Sequence, residues 1–177
     1  VKNNIYFFFG PSGVGKSSTL KSLSRAMPDL KVVSLDSLVV ERGLEDGFIT
    51  SGNAFGLLQV LGGDCFFVYG LDCLYRYLES IDDKAVKVAI DVGAGFQNNR
   101  LMACMSRFYN TVCLSAEPQA SFERFSRHRS DGRDFKLHCE IEFSPVRQAI
   151  YSSSSLYLDT SNLTEEEVVN ELVGAMS

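Results

Sequence analysis

Eight consecutive residues, Gly10-Pro11-Ser12-Gly13-Val14-Gly15-Lys16-Ser17, fit the pattern G-x-x-x-x-G-K-[ST] at every position. The chemistry open to such a string is narrow. Glycines let successive backbone N–H groups turn inward around phosphate oxygens. A lysine ammonium reaches the outer phosphates of a nucleotide, and the hydroxyl that follows can ligate Mg²⁺. Gly10 to Ser17, with the adjoining Ser18, are therefore the candidate phosphate-binding residues, and Lys16 is the candidate catalytic cation.

Two carboxylates stand at the ends of apolar runs. Asp91 closes Val86 to Ile90, where a second ligand for Mg²⁺ beside Ser17 is expected; the plainer reading is a helix cap or a turn residue. Asp36 ends a run from Leu30 to Leu35 in the same way. It could take a proton from an acceptor hydroxyl, cap the following helix, or do both. Arg124, Arg127, Arg129, Arg133 and Arg147 are candidates for stabilising charge on a transferred phosphoryl group, although most arginines in such a cluster are simply solvated.

These groups need a scaffold. Ile5-Tyr6-Phe7-Phe8-Phe9 is a continuous apolar run, as expected of a strand covered on both faces. Leu20, Leu23 and Met27 then repeat at helical spacing up to Pro28. Further strands are expected at Leu30 to Leu35, Val86 to Ile90, Tyr109 to Leu114 and Leu156 to Leu158. Helices are expected around the stripe Phe67, Leu71, Leu74 and Leu78, around Leu101, Met102 and Met105, from Pro118 toward Arg127, from Ser144-Pro145, and after the capping box Thr164-x-x-Glu167. Residues 36–62 read as mixed, and the basic stretch 127–137 as an exposed mobile lid. Five strands interleaved with helices predict an α/β fold of the P-loop NTPase, nucleoside-monophosphate-kinase-like type: one parallel five-stranded sheet with helices on both faces, in a single domain over residues 1–177.

Composition sets the bounds. The chain has 177 residues, 45% hydrophobic and 22% charged, with a net charge of −5. That suits one globular core and excludes collagen-like or largely disordered chains. An acidic chain is a poor general nucleic-acid binder, and no run approaches the ~18 apolar residues of a membrane span. No signal peptide, nucleic-acid partner or membrane partner is expected. The five cysteines form no C-x-x-C pair and lie mostly in apolar surroundings, so reduced, buried thiols of a cytoplasmic protein are expected. A zinc site from His128, His138 and Cys139 matches no familiar ligand spacing.

Over nearly its whole length the chain resembles the shikimate kinase family of P-loop small-molecule kinases. The phosphate loop anchors the resemblance, and weaker matches follow in order: Leu35 to Glu41, Gly93-Ala94-Gly95, Arg133-Asp134-Phe135, Arg147 to Tyr151, and Leu158-Asp159-Thr160 with its acidic tail. The resemblance implies transfer of the γ-phosphate of ATP, with Mg²⁺, to a hydroxyl of a small metabolite, an anionic one included. It implies that Arg133 is the lid arginine on the ATP phosphates, that Gly93, Ala94 and Gly95 lie against the acceptor beside Asp36, and that Arg147 grips an acceptor carboxylate. A monomer or a weak homodimer is expected. Two departures stand out: Ser34 replaces the first acid of the family's D-x-D, and Val68 falls where a second carboxylate-binding arginine belongs. Shikimate is then expected to be a poor substrate or none. An authentic shikimate kinase using Arg42 or Arg76 instead, a nucleoside or nucleotide kinase, and a non-catalytic ATP-binding regulatory protein are the alternatives. The phosphate loop is also similar to that of guanylate kinases, but no tyrosine- and arginine-rich GMP-binding stretch follows the second strand.

Overall fold

A computed structural model of the chain describes residues 2–81, 86–97, 99–128 and 132–177. Five strands form one sheet: β1 Lys2–Phe9, β2 Leu30–Ser34, β3 Lys87–Asp91, β4 Tyr109–Ser115 and β5 Leu156–Asp159. Their order is β2-β3-β1-β4-β5 and every pairing is parallel. This is the P-loop NTPase fold. β1 is central, with β3 on one side and β4 on the other, so the crevice at its carboxyl end lies where the winding reverses.

Side-chain alternation along the buried strands sorts the core into two layers. Ile5, Phe7 and Phe9 of β1, with Val88 and Ile90 of β3, face one way. There they meet α2 (Leu35–Glu45), α3 (Ala54–Leu61), α4 (Gly63–Glu79), α5 (Asn99–Phe108) and α8 (Pro145–Ser152). Phe8 and Ala89 face the other way, onto Leu20 and Leu23 of α1 (Lys16–Ala26) and Val168, Leu172 and Met176 of α9 (Glu165–Met176). Helices α6 (Pro118–His128) and α7 (Phe135–Glu142) complete the chain. Among the described residues no helix is long and apolar enough to cross a membrane.

Four expectations need correction. β2 stops at Ser34, because the Ser34 side chain caps α2 by accepting from the Ser37 N–H; Asp36 therefore sits in the first turn of a helix. The stretch 36–62, read as mixed with short helical patches, holds helices longer than patches, α2 of 11 residues and α3 of 8, the second capped by Asn53. Within 127–137, α6 runs to His128 and α7 begins at Phe135, capped by Asp134 on the Leu137 N–H, so both ends of the expected loop are helical. Residues 129–131, with Arg129, lie outside the described residues. Finally, Cys65 is exposed; Cys73 and Cys113 are buried and Cys139 is half-buried, all four free. Burial pushes the Cys113 thiol up to about 12, which leaves it inert.

The buried face of α4 is Phe66, Gly70, Cys73 and Leu74, offset by one residue from the stripe that apolar spacing suggests. Phe66 stacks on Phe96 at 4.7 Å between ring centroids, and the Phe96 ring lies directly over Gly70. A β-carbon at Gly70 would fall 2.1 Å from Phe96 Cε1. The absence of a side chain is thus what lets α4 dock. Gly70→Ala is expected to destabilise the protein by about 1–3 kcal/mol through overpacking, despite alanine's better helix propensity. Gly174→Ala, in α9 with nothing within 4 Å, should instead stabilise it by about 0.5–1 kcal/mol. Urea midpoints of the two variants should therefore move in opposite directions.

Candidate active site

The phosphate loop leaves β1 at Gly10 and enters α1 at Lys16. Gly10 and Gly13 have φ of 137° and 87°, in the region where only glycine is unstrained. Side chains there would also meet backbone: a Gly10 Cβ would lie 1.9 Å from the Leu114 carbonyl oxygen, and a Gly13 Cβ 2.2 Å from that of Ser121. Gly15 precedes α1 without any side-chain cap, so the first N–H groups of the helix carry their partial positive charge with no capping oxygen. A bare helix start behind a glycine cradle suits phosphate oxygens.

Charged groups converge on this cradle. Lys16 is half-buried, and its Nζ donates to the carbonyls of Gly10 (2.8 Å) and Pro11 (3.0 Å). Burial pushes its ammonium below the ordinary lysine range, while the nearby Asp91, Glu142, Cys113 and Asp36 act in the opposite sense. A desolvated ammonium so placed gains from a phosphate's charge. The Ser17 Oγ donates to Asp91 Oδ2 at 2.9 Å. Asp91 is the last residue of β3, aligned with Phe8 of β1 on one side and Ser34 of β2 on the other. A hydroxyl and a carboxylate in contact at the head of α1 form an oxygen donor set suited to Mg²⁺.

Asp36 projects from the first turn of α2 onto the segment after β3. A Cβ at Gly93 would lie 2.6 Å from both of its carboxylate oxygens, so Gly93 is what allows the carboxylate to rest there. Since Ser34 caps α2, capping does not account for Asp36. Ala94–Phe96 form a single 3-10 turn, and a β-carbon at Gly95 would lie 3.7 Å from the Phe66 ring, an ordinary contact. Arg147 of α8 reaches this turn: Nη2 donates to the Ala94 carbonyl (2.9 Å) and Nη1 to Gln97 Oε1 (3.2 Å).

Arg133 lies on the other side of the loop. Its Nη1 is 3.2 Å from Glu142 Oε1, and its guanidinium sits 4.6 Å over the Phe125 ring. Glu142 itself is buried and accepts from the Ser12 Oγ (2.7 Å) and the Ser12 N–H (3.2 Å). The Ser12 carbonyl in turn accepts from Ser121 Oγ, which also bonds His138 Nε2 at 3.0 Å. His138 is thus a core residue packed on Phe122 and Phe125, and among the described residues no group of three His, Cys, Asp or Glu could hold a metal ion. After β5, the Thr160 N–H and hydroxyl both donate to the Ser115 carbonyl, fixing that turn against the end of β4.

Other candidates stay apart. Arg127 is exposed and Arg124 half-buried on α6. Val68 is 64% exposed on α4. Arg42 is bound to Asp46, and Arg76 to Asp72, each one helical turn away.

No protein-family model and no curated protein matches the chain in sequence. Solved structures do match it in shape. The shikimate kinase of Bacteroides thetaiotaomicron superposes with a TM-score of 0.76 at 20% identity, covering 97% of each chain. That of Aquifex aeolicus gives 0.69 at 20% identity, over 97% of this chain and 95% of the other. That of Acinetobacter baumannii, solved in complex with shikimate, gives 0.71 at 12% identity, over 98% and 92%. The chain has the shikimate kinase fold. On this fold, Glu142 and Gln97 are the site residues that spacing does not reveal, since each touches partners far along the chain.

Glu142 joins the phosphate loop to Arg133, and removing it leaves the half-buried Ser12 N–H and hydroxyl, and the Arg133 guanidinium, without their acceptor. Glu142→Ala is expected to lower stability by about 1–3 kcal/mol. Glu140→Ala, which breaks the exposed Lys136–Glu140 pair on the same helix, should change the urea midpoint hardly at all.

Proposed function

We propose that this chain is an ATP-dependent phosphotransferase that moves the γ-phosphate of ATP to a hydroxyl of a small metabolite, acting in the cytoplasm as a monomer or a weak homodimer. One observation carries the reading. The Ser17–Asp91 pair, the Lys16 ammonium and the Asp36 carboxylate converge around one glycine cradle, at the reversal point of a shikimate kinase fold.

The residues divide the work. Gly10 to Ser18 receive the phosphates, and Lys16 offsets their outer charge. Ser17 and Asp91 are the residues that would hold Mg²⁺, which when bound draws charge from the phosphate oxygens. Asp36 aligns the acceptor hydroxyl over Gly93, Ala94 and Gly95 and accepts its proton on a carboxylate oxygen. Arg133 brings a cation from the side of α6 and α7 and helps to keep water out. Arg147 orients the acceptor. Transfer is in line, and it rests on positioning and charge rather than on a covalent intermediate.

The acceptor side argues against shikimate. A carboxylate held by two arginines needs a second one near α4, yet Val68 faces solvent, Arg42 is paired with Asp46 at the end of α2, and Arg76 with Asp72 on α4. A coupled ADP-release assay over hydroxylated acids, polyols and nucleosides tests the proposal. Turnover with a polyol or a hydroxy acid other than shikimate supports it. Efficient turnover of shikimate makes the chain an authentic shikimate kinase, and turnover of nucleosides alone makes it a nucleoside kinase. ATP binding without any turnover leaves a regulatory nucleotide-binding protein.

Lys16→Ala should lower turnover by about 10²-fold or more and weaken ATP binding, with the melting temperature unchanged. Asp36→Asn preserves shape and hydrogen bonding but cannot accept a proton. It should lower kcat by about 10²–10⁴-fold with ATP affinity nearly unaltered. A wild-type rate in Asp36→Asn would move the proton acceptor elsewhere.

A further inference from the structure

Gln97 follows the 3-10 turn and is 4% exposed. A buried amide is expensive unless both its donors and its acceptor are used. Here they are used on three different elements. The Nε2 group donates to the Val92 carbonyl at 2.9 Å and to the Gly10 carbonyl at 3.2 Å, while Oε1 accepts from Arg147 Nη1 at 3.2 Å. The Gly10 carbonyl is also one of the two on which the Lys16 ammonium rests. One side chain therefore links the first residue of the phosphate loop, the end of β3 and the arginine of α8.

An apolar side chain would fill this space without a desolvation penalty, so packing does not explain an amide. The hydrogen bonds fix two separate things. The donor end holds the Gly10 carbonyl, and with it the seat of Lys16. The acceptor end, together with the Ala94 carbonyl, aims the Arg147 guanidinium by two of its five N–H donors. We infer that Gln97 is a positioning residue that sets the phosphate loop and Arg147 in register with each other, an assignment that rests on the phosphotransferase reading for its acceptor half and on the phosphate loop alone for its nucleotide half.

Two substitutions separate the halves. Gln97→Leu removes both ends. Gln97→Glu keeps an acceptor for Arg147 but has no N–H for the Gly10 and Val92 carbonyls. ATP affinity, measured by calorimetry with Mg²⁺ and no acceptor, should weaken about 10-fold or more in both, the usual range for residues that orient a ligand-binding group. The KM for the acceptor found in the substrate panel should rise about 10-fold in Gln97→Leu and return to near the wild-type value in Gln97→Glu. A packing role predicts the opposite order: Gln97→Leu close to wild type in both constants, and Gln97→Glu, with its buried charge, the worse in both. That order would overturn the inference. So would wild-type ATP affinity in a folded Gln97→Leu, a result readable even if the panel yields no acceptor and the phosphotransferase reading fails. Melting temperatures are recorded alongside. If Gln97→Leu does not fold, Gln97→Met fills the same space with a flexible chain and takes its place.

Discussion

The phosphate loop must run against the end of β4 with no room for a side chain. At Gly10 the clearance to the Leu114 carbonyl is smaller than any β-carbon needs. Much of the molecule follows from that contact. Phe7 and Phe9 on one face of β1 and Phe8 on the other are fully buried, so β1 is fixed in depth between two cores. A strand fixed in depth delivers the loop to the same height every time. The Ser17 hydroxyl in the first turn of α1 and the carboxylate at the end of β3 then lie within hydrogen-bonding distance of each other.

Around the loop, charges are placed so that none is buried alone. Lys16 is desolvated but lies near Asp91, Glu142 and Asp36. Glu142 is buried, yet it is bonded to Ser12 and paired with Arg133. Such an arrangement is held by its geometry more than by its energy, because desolvation offsets much of the Coulomb gain. It presents cations and hydrogen-bond donors already oriented around the glycine cradle, an arrangement that can meet an anion with little reorganisation.

What the sequence made legible follows distance along the chain. Residues 10 to 17 act through neighbours within one turn, and their motif could be read directly. The strands could be read because β1 and β3 are buried on both faces and show as unbroken apolar runs. Asp91 was placed by the end of such a run; Asp36 was placed one element too early, because the cap Ser34 stands where a strand residue was expected. Gln97 and Glu142 were invisible. They meet their loop partners across 87 and 130 residues, and a lone glutamine or glutamate leaves no periodic trace. Gly70 escaped for the converse reason: a glycine in a helix looks neutral until a ring is found lying over it.

The sheet also divides the helices into two layers. α2, α3, α4, α5 and α8 all pack into the layer of Phe7 and Phe9, while α1 and α9 pack into the layer of Phe8. The two layers meet through β1, whose neighbouring residues Phe7 and Phe8 belong one to each, and Gln97 ties the loop to α8. A change of side-chain volume in either layer therefore bears on the strand that carries the loop. Val68, exposed on α4, belongs to neither layer and bears on neither.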